Sequence, residues 1–220
     1  MSVLAPTFDY VALQRPMTAR LVALGHSLSP AQWSSPSLCT GWRACDVYGH
    51  MTYGGVTPLH RVLPRLLFVH RGNLNRGSAV ESVRYADAHP QAELLAEFAR
   101  SSEHRVGIGK RIKPHELYVD HIVHELDVRR PLGLPTAWGP HELRAALAAA
   151  VDLTSPLIAP SRNAAGLRIV AIDLDWTHGP LDAPIVEGPA EDLLLAVCGR
   201  PAGLATLTGD GVAQLTDRLG

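Results

Sequence analysis

Asp120 and His124 stand four residues apart in the stretch His115-Glu116-Leu117-Tyr118-Val119-Asp120-His121-Ile122-Val123-His124-Glu125-Leu126-Asp127-Val128-Arg129. In a helix that spacing stacks an acid and an imidazole one turn apart, where both can grip one ion or simply pair with each other. At about 100° per residue, Val119, Ile122, Val123 and Leu126 form one apolar stripe. Glu116, Asp120, His124 and Asp127 fall on its flank, and His121, Glu125 and Arg129 fall further round, on the side expected to face water. Polar groups at the border of a buried face need partners, because an unpaired buried charge costs several kcal/mol or loses its charge through a pKa shift.

A third donor is available earlier in the chain. His50 lies on a second amphipathic segment, with Asp46 one turn before it. A plain Asp46–His50 pair is one reading of that segment. The other joins His50 to Asp120 and His124 as two imidazoles and a carboxylate with coordination positions left open, the pattern of a catalytic zinc site. Such a set is unlike an all-thiolate site, and unlike the all-oxygen cage that calcium takes.

The elements that must carry these residues read as mostly helical up to about residue 160. A first helix is expected over Phe8–Leu28, with Pro16 as a late start or kink, and a capped turn at Ser29–Trp33. The next helix is expected from Trp42 past His50 with Thr40 as N-cap, loosened or broken by Gly54-Gly55 and Pro58. Leu59–His70 reads as amphipathic, residues 71–90 mostly as loop, and Ala92–Glu103 as helix after Pro90. Val106–Lys113 is a connector whose basic run belongs to solvent. The Asp120/His124 helix then runs from Pro114 to Arg130 and stops at Pro131 and Gly133. A strong helix is expected from Leu143 to about Leu157.

Composition changes after that point: Leu167–Ile172 and Asp175–His178 read as strands, Ile185-Val186 as a strand edge, Pro189–Cys198 as helix, Leu204–Leu207 as strand and Gly211–Leu219 as helix. The expected architecture is α+β: a helix bundle over residues 1–160 followed by a small β-β-α-β-α unit over 161–220, too short to be stable alone.

Bulk properties bound the function class. The 220 residues carry a net charge of −1 at pH 7 and are 46% hydrophobic and 19% charged, a globular composition large enough to bury a core. No overall basic field exists to hold nucleic acid or an anionic membrane, and neither partner is expected. The three cysteines, Cys39, Cys45 and Cys198, follow no CxxC spacing and read as reduced thiols, bystanders to the chemistry. Met1–Tyr10 lacks the pattern of a signal peptide, and no apolar run approaches the ~20 residues of a membrane span, so a cytoplasmic protein is expected.

Three separated elements carry a resemblance. Cys39-Thr40-Gly41-Trp42-Arg43-Ala44-Cys45-Asp46-Val47-Tyr48-Gly49-His50 resembles the Cys-x-Gly-Trp, Asp-Val, His element of the mycothiol-dependent maleylpyruvate isomerase family. His124-Glu125-Leu126-Asp127-Val128-Arg129-Arg130-Pro131-Leu132-Gly133 resembles its His-x-x-Asp-Ile-Arg-Arg-Pro-Leu-Gly element. The tail from Val186 to Arg200, then Thr208-Gly209-Asp210-Gly211, is similar to its C-terminal domain. The resemblance implies a DinB-like antiparallel four-helix bundle followed by a small α/β domain similar to sterol carrier proteins. It implies metal ligands at His50, Asp120 and His124, zinc or another divalent transition metal as the ion, and mycothiol as thiol cosubstrate. In the family the carboxylate is commonly Glu where this chain has the shorter Asp120; Glu116 and His121 are the nearest alternatives.

The implied chemistry is that of an activated thiolate. Added to a conjugated double bond and later eliminated, it gives cis–trans isomerisation; displacing a leaving group, it gives transfer to a small organic acid or electrophile. Arg200 is a candidate clamp for an organic carboxylate, since a guanidinium matches that group's two oxygens. Asp127 is a candidate to orient His124 or to neutralise Arg130. Trp33, Trp42, Trp138 and Trp176 read as packing residues. Two other readings share the same residues: a non-catalytic metal-binding bundle with a stress or ligand-carrier role, and a metallohydrolase of thiol conjugates, in which water stands at the metal.

Overall fold

The computed structural model describes residues 7–136, 138–154 and 159–219. The chain starts with α1 (Tyr10–Ser27), where the Asp9 carboxylate accepts from the Val11 and Ala12 amides. Pro16 lies inside this helix. A short α2 (Pro30–Trp33) is closed by a reciprocal Ser29/Gln32 capping box.

The next helix, α3 (Ala44–Val56), starts later than its sequence suggests. The cap is made by Asp46, whose Oδ2 accepts the Arg43 amide at 2.8 Å, and Thr40 takes no part. The Arg43 guanidinium closes on the same carboxylate at 2.7 and 2.9 Å, so Asp46 does not pair with His50. Gly54 and Gly55 continue the helix; a Cβ on Gly55 would sit 3.2 Å from Ser101, so here glycine serves helix packing.

The segment α4 (Leu59–Pro64) runs into a π-helical turn, Arg65–Val69. The expected loop over 71–90 is instead largely α5 (Leu74–Ala88), capped by Asn73, whose Oδ1 accepts the Arg76 amide at 2.9 Å. Its buried face is Gly77, Glu81, Ser82 and Ala86, small and polar residues that leave no hydrophobic periodicity to read. Then follow α6 (Gln91–Glu103), a 3₁₀ turn at Gly107–Arg111, α7 (Pro114–Arg129) and α8 (Pro140–Asp152). Helix α8 ends at Asp152, where Leu153 turns extended, short of the expected end near Leu157; Leu157 itself and the opening residues 1–6 lie outside the described residues.

Helix α7 is buried on nearly every side, against α1, α3, α8 and the C-terminal part of the chain. That corrects the expectation that His121, Glu125 and Arg129 face water: they are 3%, 0% and 9% exposed. The cause is partners the sequence does not advertise. Glu125 accepts from Arg20 Nε at 3.0 Å and Arg129 Nε at 2.8 Å, and Arg20 reaches on to Glu142 at 2.8 Å. His121 packs edge-on against Phe98, with both ring nitrogens unpartnered among the described residues.

After α9 (Pro160–Ala164) the chain forms a three-stranded sheet in the order β2-β1-β3, from β1 (Arg168–Ala171), β2 (Thr177–His178) and β3 (Ile185–Gly188). Strand β1 runs antiparallel to β2 and parallel to β3, pairing Ile169 with His178 and with Val186. All three strands precede α10 (Ala190–Val197), which corrects the expected β-β-α-β-α order. Leu204–Leu207, read as a strand, lies largely in a 3₁₀ turn, Pro201–Thr206, and Thr208 makes only an isolated bridge to Glu187. The chain closes with α11 (Val212–Leu219). One continuous apolar cluster runs from Leu21, Tyr48 and Phe98 through Leu126 and Leu147 to Leu167 and Leu194. Tyr48 shows how it is built: fully buried, its hydroxyl donates to the Leu21 carbonyl at 2.8 Å, so burying the ring leaves no polar atom unpaired.

Candidate metal centre

Helices α3 and α7 bring His50, Asp120 and His124 together. Asp120 Oδ1 lies 3.7 Å from His50 Nε2 and 3.5 Å from His124 Nε2, and the two imidazoles meet at 70° with centroids 4.9 Å apart. Ligand atoms held at about 2.1 Å around a tetrahedral ion are spaced about 3.4 Å apart, so this donor set fits a zinc-sized cation with little movement. The residue types fit as well, two neutral-capable imidazoles and one carboxylate. Asp120 therefore reaches without the longer arm of Glu. Neither alternative is placed to replace it: Glu116 caps its own helix at the Lys113 amide, 3.1 Å away, and His121 is turned to Phe98.

Both imidazoles are oriented through their other nitrogen. Ser78 and Ser82 place their hydroxyls 3.2 and 3.3 Å from His50 Nδ1, and Ser82 spends its own proton on the Ser78 carbonyl at 2.6 Å. The Ser82 oxygen is thus an acceptor for a proton on Nδ1, which leaves the Nε2 lone pair facing Asp120. On His124, Nδ1 donates to Asp127 Oδ2 at 2.8 Å, again leaving Nε2 toward the cluster. The close approach of α5 that supplies the serines requires Gly49, where a Cβ would meet the Ser82 carbonyl at 2.4 Å.

Asp127 is fully buried and accepts from three sides. Besides His124, it takes Arg200 Nε on Oδ1 at 3.1 Å and Arg200 Nη2 on Oδ2 at 2.7 Å. The Cys39 thiol donates to Oδ2 at 3.0 Å and lies 3.6 Å from Arg200 Nη2. Burial alone would raise the Asp127 carboxyl, but the His124 hydrogen bond and the Arg200 charge hold it below the usual carboxylate range. Burial likewise opposes the charged forms of Asp120 and His124; their mutual attraction prevails and holds Asp120 well below, and His124 well above, their ordinary values.

Arg130, the other proposed partner of Asp127, pairs with Glu191 at 3.1 Å and Asp192 at 2.7 Å. Arg200, read as a carboxylate clamp, has three of its nitrogens engaged, the third with the Cys198 carbonyl at 2.8 Å. Cys39, read as a bystander, stands inside the cluster; together with His124 and Asp127 it forms a second set of donor atoms within 4.8 Å of one another. Cys45 is buried, its thiol pushed up to about 11 by burial and by the charge of Asp46.

The loop before α3 closes over this side. Leu38 donates its amide to the Asp127 carbonyl at 3.0 Å, and Trp42 lays its ring 5.2 Å from His50 and 6.3 Å from His124, centroid to centroid. Trp42 does pack, as expected, but against the two imidazoles.

The fold and cluster define a helical bundle, extended by a small α/β unit, with a His₂–carboxylate donor set between two of its helices. Residues 15–108 match the family model described as mycothiol maleylpyruvate isomerase N-terminal domain. The crystal structure of the mycothiol-dependent maleylpyruvate isomerase, and that of a histidine-to-alanine mutant of it, each superpose with a TM-score of 0.52 at 14% identity, covering 94% of this chain and 93% of the other. The likeness shows a shared fold over both parts of the chain. No curated protein matches. No described helix is long and apolar enough to cross a membrane.

Proposed function

We propose that this chain is a metal-dependent enzyme using mycothiol, or a thiol like it, to isomerise a small unsaturated organic acid, with transfer of the thiol to an electrophile as the related reaction. The observation that carries the reading is the convergence of His50 Nε2, His124 Nε2 and Asp120 Oδ1, with each imidazole fixed through Nδ1. The matched N-terminal domain family and the shared fold support the thiol and the reaction class.

A divalent cation held by these three groups would supply Lewis acidity and lower the pKa of a thiol brought to it. The protein's own groups do the rest. Asp127 and the two serines set which nitrogen of each imidazole faces the site. Trp42 covers the rings on one side, limiting water there. Arg200 holds Asp127 ionised. His50 and Asp120 remain about a quarter exposed, leaving an approach for thiol and substrate. A thiol adds to the conjugated double bond, the resulting single bond rotates, and elimination returns the thiol with the trans product.

Assaying the metal-loaded chain on maleylpyruvate with and without mycothiol tests this. Turnover only with thiol, lost in His50→Ala, supports it. Hydrolysis of a thiol conjugate with no turnover of maleylpyruvate favours the hydrolase reading, and metal binding without turnover in a broad substrate screen favours a binding module.

A further inference from the structure

The net charge of −1 averages over a strong asymmetry. Between Asp46 and Glu81 the sequence contains no acidic residue at all, but does contain Arg61, Arg65, Arg71 and Arg76. The same segment carries a run of large apolar side chains turned outward: Leu63, Leu67, Phe68 and Val69 are 48%, 58%, 84% and 56% exposed. Exposed apolar side chains scattered singly are ordinary; neighbours on one short helix, ringed by unmatched charge of one sign, are not.

The helical geometry explains the grouping. Val62, Leu66 and His70 recur every four residues and turn inward, and His70 is anchored to Glu81 at 2.8 Å. The π-helical turn from Arg65 to Val69 keeps that inward row in phase, so Leu63, Leu67 and Phe68 share the outward face. Arg61, Arg71 and Arg76 are exposed and make no ion pair among the described residues, whereas Arg65 is held by Glu81 at 2.7 Å. Arg71 adopts a left-handed backbone conformation, φ 53°, at the turn that ends the segment.

We infer that α4 and the π-helical turn after it dock on an anionic lipid surface, with Leu67 and Phe68 entering the headgroup layer and Arg61, Arg71 and Arg76 meeting lipid phosphates. Short amphipathic segments with aromatic and aliphatic residues beside Arg bind interfaces in this way, through buried apolar area plus attraction to anionic lipid. Charge complementarity decides among occupants. A second copy seated on this face by a two-fold axis would set arginines against arginines. An acidic protein would satisfy the charges, but protruding side chains of this kind suit a fluid layer that moulds to them. The inference is independent of the chemistry proposed for the metal centre.

Flotation of the full chain with phosphatidylcholine vesicles, with and without 30% phosphatidylglycerol, on the order of the anionic content of a charged leaflet, tests it. The expected result is binding only to the anionic vesicles, weakened by salt. Each of Arg61→Ala, Arg71→Ala and Arg76→Ala should lower the partition coefficient about fivefold. A Leu67→Glu/Phe68→Glu variant should stay in solution while keeping the wild-type circular dichroism and melting curve, since both side chains are exposed. Failure to bind anionic vesicles, equal binding by the double variant, or a dimer in sedimentation velocity that this variant dissolves would overturn the inference. So would binding to polyglutamate that competes fully with the vesicles.

Discussion

Asp127 Oδ2 lies 2.8 Å from Nδ1 of His124, while Asp120 Oδ1 lies 3.5 Å from Nε2 of the same ring. One imidazole thus stands between two carboxylates, one placed to share a cation with it and the other to hold its tautomer. Asp127→Asn keeps the shape and removes the charge. The expected result is a 10–100-fold loss of metal affinity, a range on the order of other such partners, measured by chelator competition. Unchanged affinity would leave Asp127 with no part in orienting His124.

Cys39 supplies the third donor to Asp127, at 3.0 Å. Its sulfur lies 3.8 Å from Nδ1 of His124, whereas the metal-facing nitrogen of that ring is Nε2, so Cys39→Ser should bind metal as wild type does and keep most activity. Cys39→Ala, which removes the donor, should lower kcat about tenfold, the order of one lost charge-assisted hydrogen bond. Metal loss in Cys39→Ser would instead make the thiol a ligand.

His121 gives a stability test. Burial pushes its imidazole down to about 4, and no hydrogen bond from the described residues compensates its nitrogens. Its folded value lies below the unfolded value of about 6.5, so between these two pH values the unfolded chain binds the extra proton and stability falls as pH is lowered. In metal-free protein this contribution amounts to about 3 kcal/mol across that window. Urea denaturation of wild type and His121→Leu at pH 7.5 and 5 should show a smaller loss on acidification in the variant. An equal loss in both would assign the acid sensitivity elsewhere.

Glu125 is fully buried between Arg20 and Arg129. Glu125→Ala leaves two cations without their shared partner and should cost about 3–5 kcal/mol in urea unfolding, since a buried pair broken on one side leaves charge uncompensated. A loss under 1 kcal/mol would mean that water enters and solvates the arginines, as happens at exposed pairs worth about that much.

The parts of the fold legible from sequence were those announced by period and punctuation. The helix over 91–103 follows Pro90, and the α7 helix starts at Pro114, as read. Helix α5 was hidden because its inner face is glycine, alanine, serine and a glutamate; such a face packs by close approach and leaves no apolar stripe. The burial of Glu125 and Arg129 was hidden for a related reason: a charge is read as surface unless its partner is known, and Arg20 lies 105 residues away from Glu125. In the site, the three proposed ligands could be named because the Asp120/His124 spacing is itself geometric and His50 stands on a second amphipathic segment, a reading the family resemblance reinforces. The roles of Cys39, Ser78 and Ser82 depend on how the loop and α5 fold onto α7 and α3, which no local spacing encodes.

X-ray absorption at the zinc edge of the metal-loaded chain reads out whether His50, Asp120 and His124 hold one ion. The expected result is one bound zinc with nitrogen and oxygen neighbours at about 2.0–2.1 Å, no sulfur before thiol is added, and one sulfur at about 2.3 Å afterwards. The same signal should be absent from His50→Ala. A chain that retains no zinc, or a thiol-free spectrum already showing a sulfur neighbour, would contradict it; the sulfur would point to the Cys39, His124 and Asp127 set as the true site.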